Sequence, residues 1–99
     1  MLQKELLVQS VSILREMVPG VSPEAAVSFL VLGSHGNMKV GELARTVGLT
    51  EPDAYRFLKD LTGQHGLVRM ENMGDGSNML LLTPAGQAVV AQINTQLTA

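Results

Sequence analysis

The sequence predicts a mainly α domain with a small antiparallel β-wing, a winged helix-turn-helix. Three observations predict it. Two short amphipathic segments meet at Gly48, two apolar strand-like runs flank a loop rich in glycine, asparagine and aspartate just beyond them, and capped helices stand before and after. At 99 residues and 45% hydrophobic, the chain has room for one domain with one modest core. The expected organisation is a single unit over residues 1–99: an N-terminal helix within 1–18, the helix-turn-helix and wing within 38–82, and a C-terminal helix within 83–99.

Taken in order, Leu2, Leu6, Leu7, Val11, Leu14, Met17 and Val18 recur at steps of three and four, which predicts a helix from about Leu2 to Met17, stopped by Pro19 and Gly20. Ser22 is placed to cap a second helix, with Pro23 at its first position and Glu24 favoured by the dipole. Ala25, Ala26, Phe29, Leu30 and Leu32 make that helix largely buried, and Gly33 to Asn37 are expected to end it. A short extended stretch at Met38 leads into helices over about Val40 to Val47 and Glu51 to Gln64, with a turn at Gly48. Leu67 to Asn72 and Met79 to Leu82 read as two strands. Thr83 and Pro84 repeat the capped start, and Ala85, Ala88, Val89, Ile93 and Leu97 predict a last helix.

Composition excludes several classes. Without cysteine there is no disulfide scaffold, no thiolate nucleophile and no thiol redox sensor. The longest apolar runs fall far short of the roughly 20 residues a bilayer demands, so a cytoplasmic protein without membrane contact is expected. His35 and His65 lie beside glycines in expected turns, at no metal-ligand spacing from a carboxylate pair, and read as surface or capping residues. Gly33-Ser34-His35-Gly36 lacks the strand and lysine of a phosphate loop, and Asp75-Gly76-Ser77-Asn78 lacks the closing glutamate of a calcium loop. No catalytic constellation emerges, and neither enzyme activity nor a cofactor or metal is expected. With only Phe29, Tyr55 and Phe57 aromatic, there is little ground for a small-molecule pocket.

Function is concentrated in Val40 to Leu61. Ala44 is small where two helices must approach, Gly48 sits where the turn needs positive φ, Leu49 plugs the corner, and Thr50 caps the next helix with Asp53 three residues on. Such a motif holds its second helix out from the body so that it can enter a major groove of duplex DNA. Glu51, Asp53, Ala54, Tyr55, Arg56, Lys59 and Asp60 are the residues on it not plainly claimed by the core, with Ala54 open to both roles. Arg56 is the candidate for a guanine edge or phosphate, Tyr55 for a phosphate or sugar, and Lys59 for phosphate. The alternative for Arg56 is an ion pair with Asp53 or Asp60 at helical spacing.

Met38-Lys-Val-Gly-Glu-Leu-Ala, Val47-Gly-Leu-Thr, Gly66-Leu-Val-Arg and Leu82-Thr-Pro-Ala-Gly resemble the winged-helix core of the MarR family of bacterial regulators, over about Met38 to Val90. The resemblance implies a homodimer built from N- and C-terminal helices, recognition helices in successive major grooves and wings at the flanking minor grooves. By position it gives the DNA-reading role to Thr50 through Lys59 and the wing role to Arg69 and the tip, with Ser77 and Asn78. The tip Asp75-Gly76-Ser77-Asn78 carries no arginine, so a blunt wing is expected. With little sequence after Leu97, the dimer is expected to be completed by the Leu2 to Met17 helix or formed differently.

The expected function is a dimeric, sequence-specific DNA-binding transcription regulator. A net charge of −2 leaves a second class open. Lys39, Arg45, Arg56, Lys59 and Arg69 are balanced by Glu42, Glu51, Asp53, Asp60 and Glu71, and winged helices also serve as protein-interaction modules. Under that reading the acids meet a basic protein partner and Met70, Met73 and Met79 form an adaptable contact surface, against the plainer reading that Met70 and Met79 fill the junction between wing and body.

Overall fold

The computed structural model describes residues 4–98. Its elements are α1 (Lys4–Met17), α2 (Pro23–His35), β1 (Met38–Lys39), α3 (Val40–Val47), α4 (Glu51–Lys59) continuing into a π-helical turn (Asp60–Gln64), β2 (Val68–Asn72), β3 (Asn78–Leu82) and α5 (Pro84–Thr98). Leu2, the expected start of the first helix, lies outside the described residues. The core joins Leu14 of α1, Phe29 and Leu32 of α2, Leu43 of α3, Leu58 of α4, Leu80 of β3 and Ile93 of α5. One continuous apolar cluster therefore seats the helix-turn-helix on the α1, α2 and α5 layer.

Local chemistry explains the element ends. The Ser22 hydroxyl accepts the Ala25 amide at 3.1 Å, with Pro23 in the first turn where no donor is missed. The helix ends within the expected Gly33 to Asn37 stretch, running to His35. Gly33 lies against α5, where a Cβ would sit 3.0 Å from a Val90 methyl. The stop is Gly36, at φ +84, whose N–H donates to the Leu32 carbonyl.

Glu42 reaches back to accept the Lys39 amide at 3.2 Å, which is half of a capping box at the start of α3. Gly48 ends that helix in the left-handed conformation, φ +78, and the Leu49 amide then bonds the Ala44 carbonyl at 2.8 Å. Thr50 starts α4 by accepting the Asp53 amide at 3.3 Å. The helix expected through Gln64 keeps α geometry only to Lys59. Beyond it the His65 amide bonds the Asp60 carbonyl, five residues back, in the wider turn of a π-helix, with the weak helix former Gly63 inside it.

The sheet has three strands where two were expected. Met38 and Lys39 pair antiparallel with Leu80 and Met79, giving the order β1-β3-β2, and Val68 to Asn72 pair with Leu82 to Asn78. Period-2 alternation places Met38, Val68, Met70 and Leu80 on the inner face and Lys39, Arg69, Glu71, Met79 and Leu81 on the outer one. Only Met70 of the wing methionines packs against the core, while Met73 is 49% exposed at the loop. The methionines are thus no single patch.

The Gly66-Leu67 and Thr83-to-Gly86 strings meet in space. The Thr83 hydroxyl donates to the Gly66 carbonyl at 2.6 Å and accepts the Gly86 amide at 3.0 Å, while the Thr83 amide donates to the Leu67 carbonyl at 3.1 Å. Gly86 lies so near that carbonyl that a Cβ would fall 2.1 Å from its oxygen. One threonine and one glycine pin the first turn of α5 to the root of the wing.

Candidate nucleic-acid interface

At 100° per residue, α4 buries Ala54 and Leu58 and turns Pro52, Arg56 and Lys59 outward as one exposed stripe. Asp53 and Asp60 flank the stripe on one side, Glu51 and Tyr55 on the other. Ala54 is a correction to the expected DNA face: at 1% exposure it belongs to the core, because its side of the helix packs on the body. Thr50 is committed to its cap.

The Tyr55 side of α4 faces the wing. Asn78, two residues before Leu80 and so on the same inner face of β3, donates its amide to the Tyr55 hydroxyl at 2.8 Å. Two residues expected to meet DNA separately are thus bonded to each other, and recognition helix and wing are tied together. Between them lies a cleft of about 330 Å³ lined by Lys39, Glu42 and Arg45, by Glu51 and Tyr55, and by Gly76 to Asn78. From sequence Lys39 and Arg45 entered only the charge balance, without an assigned contact, and the structure sets both on this cleft.

The electrostatics of this face are largely internal. The Arg56 guanidinium donates to Asp53 at 3.1 Å, with side-chain exposures of 68% and 45%, and its central carbon stands 5.3 Å from the centroid of the Phe57 ring. The ion-pair alternative for Arg56 is therefore present in the free protein. Arg69 pairs with Glu71 at 2.9 Å and Lys39 stands 3.9 Å from Asp75. Among the described residues, Arg45 and Lys59 of this face have no ion-pair partner.

The tip is a pair of side-chain-braced turns. Asn72 accepts the Gly74 amide at 2.7 Å, and Asp75 accepts both the Ser77 hydroxyl and the Ser77 amide. Those two bonds, with the nearby Lys39 ammonium, hold the Asp75 carboxyl below its ordinary pKa. Ser77 and Asn78, expected at the wing contact, spend hydroxyl and amide donors inside the protein. Arg69 pairs with Leu81 at the root of the wing, about 10 Å along the strand from Asn72, so the structure does not bring it together with the tip.

His35 is exposed in the last turn of α2, with Nδ1 3.1 Å from the Val31 carbonyl one turn back. His65 departs from the surface expectation, since it is half-buried and its Nε2 has no hydrogen-bond partner. Among the described residues no group of three histidine, cysteine or acidic side chains could hold a metal, and no helix is long and apolar enough to cross a membrane.

No protein-family profile matches the chain, and no curated protein matches it in sequence. Solved structures do. RV1404 from Mycobacterium tuberculosis superposes with a TM-score of 0.76 at 19% identity, over 93% of this chain and 64% of that one. MepR, described as a transcription regulator of the Staphylococcus aureus multidrug efflux pump MepA, gives 0.73 at 16%, over 92% and 67%. A MarR-family transcriptional regulator from Silicibacter pomeroyi gives 0.67 at 25%, over 90% and 62%. The chain spans about two thirds of the length of these proteins, and its fold is the MarR-like winged helix.

Proposed function

We propose that this chain is a duplex-DNA-binding transcription regulator that reads sequence as a homodimer. The observation that carries the reading is the exposed Pro52, Arg56 and Lys59 stripe, held out from the body by the left-handed turn at Gly48 and tied to the wing through Tyr55 and Asn78. A helix so presented fits a major groove, where its first turns reach base edges. The roles of MepR and the Silicibacter pomeroyi protein as transcription regulators support the assignment.

For the dimer, α1 exposes Val8 at 58% and α5 carries no charged residue along its whole length. An uncharged helix and an exposed valine both suit a twofold interface, and a dimer would set two α4 helices at half-sites one duplex turn apart. Lys59, Arg45 and Lys39 then meet phosphates, and Arg56 is the base-reading side chain. The balance of charge favours one competing reading, a module that binds a basic protein through Glu51, Asp53 and Asp60.

One experiment separates the two: the solution mass of the chain with and without duplex DNA, and a duplex titration at two salt concentrations. A dimer that binds duplex and weakens with salt supports the regulator. A monomer that ignores duplex at low salt and recovers another protein in a pull-down overturns it.

A further inference from the structure

The cations of the α4 and wing face are mostly engaged with acids of the protein itself: Arg56 with Asp53, Arg69 with Glu71, Lys39 with Asp75. A face evolved only to hold DNA by charge gains nothing from such partners, because each must be given up or carried into a field of phosphates. The Arg56 pair differs from the others in position. It stands on the exposed stripe of α4, where Asp53 engages one terminal nitrogen and Phe57 lies under the guanidinium. Arginine has five donors in a planar fork, so one bond to Asp53 leaves the rest of the fork available.

Resting on the DNA-binding reading above, we propose that Asp53 is a specificity-determining residue: held to Arg56 by one bond, it masks the guanidinium from phosphates and leaves the remaining donors of the fork for a guanine edge in the major groove. Against a phosphate, Arg56 exchanges one anion for another while Asp53 is repelled, so contact with arbitrary sequence is penalised. Against guanine, O6 and N7 are neutral acceptors that the free donors of the fork meet without expelling the carboxylate. Asp53 in turn accepts from the amino group of a neighbouring cytosine. The ligand class is therefore duplex carrying a guanine with a cytosine beside it at the position facing the second turn of α4. Thr50 caps α4 through the Asp53 backbone amide, not its side chain, so the carboxylate is free for this role.

The test compares wild type, Asp53→Asn, Arg56→Gln and the double variant. The probe is a labelled mixed-sequence duplex of about 25 base pairs, room for two half-sites one turn apart. The second probe is a duplex enriched from a random pool by the wild-type protein. Asp53→Asn is expected to bind the mixed duplex about two- to five-fold more tightly at low salt, the worth of an exposed ion pair. Its log–log salt slope should steepen by about 0.9, for one more phosphate neutralised. The ratio between enriched and mixed duplex should fall.

In the Arg56→Gln background the Asp53 substitution should change little. An equal gain in that background would show Asp53 acting as a bare negative charge and would overturn the proposal, as would unchanged or weaker binding by Asp53→Asn with measurable wild-type binding. Asp53→Glu, which keeps the carboxylate, should restore the wild-type slope. A loss of both affinities with a lowered melting temperature would make Asp53 merely structural. If no variant binds duplex at low salt, the DNA reading itself fails and this proposal with it.

Discussion

Replacing Gly86 by alanine tests the joint that seats the wing. Helix propensity alone favours the change by about 1 kcal/mol, since Gly86 lies in the first turn of α5. The packing opposes it. The added Cβ would stand 2.1 Å from the Leu67 carbonyl oxygen and 3.4 Å from the Phe29 ring, and the carbonyl is backbone that cannot rotate away. Relieving such a contact by shifting α5 costs about 1–3 kcal/mol. The same shift strains the bond from the Thr83 amide to the Leu67 carbonyl, worth about 0.5–1.5 kcal/mol. The net expectation is a loss of about 2 kcal/mol, which lowers the melting temperature of a domain this size by about 8–16 °C. Thermal unfolding followed by circular dichroism at fixed protein concentration measures it. A melting temperature equal to or above that of the wild type would refute the reasoning, because propensity would then outweigh the contact.

Three further outcomes follow from the same structure. Gly48→Val should destabilise by at least about 1–2 kcal/mol, because φ +78 is costly for a residue with a Cβ, whereas Gly48→Asn should cost less; equal losses in chemical denaturation would show that the left-handed turn is not the cause. Tyr55→Phe removes the acceptor of the Asn78 amide at a cost of about 1 kcal/mol, and hydrogen exchange should quicken in the wing while the α2 core stays protected; unchanged exchange there would mean that the bond does not hold the wing. Asp75, lowered in pKa by Ser77 and Lys39, adds stability to the tip that is complete above the unfolded-state pKa and is lost as pH falls through the lower folded value; a carboxyl titration by NMR should place its midpoint below that of an ordinary aspartate, and Ser77→Ala should move it back up.

The fold was legible because it rests on short-range chemistry. Ser22 with Pro23, Gly48 before Leu49, Thr50, and Thr83 with Pro84 each act within a few residues, and each sits in the structure where its local signal put it. What escaped depends on distant partners. The close approach of Gly33 to Val90 was not legible because Val90 is far along the chain, and β1 passed as a bare extended stretch because its partner strand lies some forty residues on. The candidate interface was hardest for the same reason. Type and spacing put Tyr55 and Asn78 on a surface, and only the register of β3 reveals that they bond each other. The Arg56 and Asp53 pair lies three residues apart, within reach of helical geometry, so sequence offers it as an alternative and the structure contains it.

These pairings change how the interface would work. A wing that reaches a minor groove by charge needs an exposed cation at its tip. Here the tip offers an aspartate bound to Ser77 and close to Lys39, with Arg69 back at the root beside Glu71. The wing therefore contributes position more than charge: the Asn78 bond to Tyr55 fixes its angle to α4, and α5 fixes its root through Thr83 and Gly86. A rigid, nearly neutral reading head has little affinity for arbitrary duplex, because few counterions are released when it binds. Under the proposed function, affinity for a true site would come from two such heads engaging together, where the second contact is made at high effective concentration. Dimerisation would then be the condition for DNA binding, and a variant held monomeric by a charged residue at Val8 should lose duplex binding while keeping its fold.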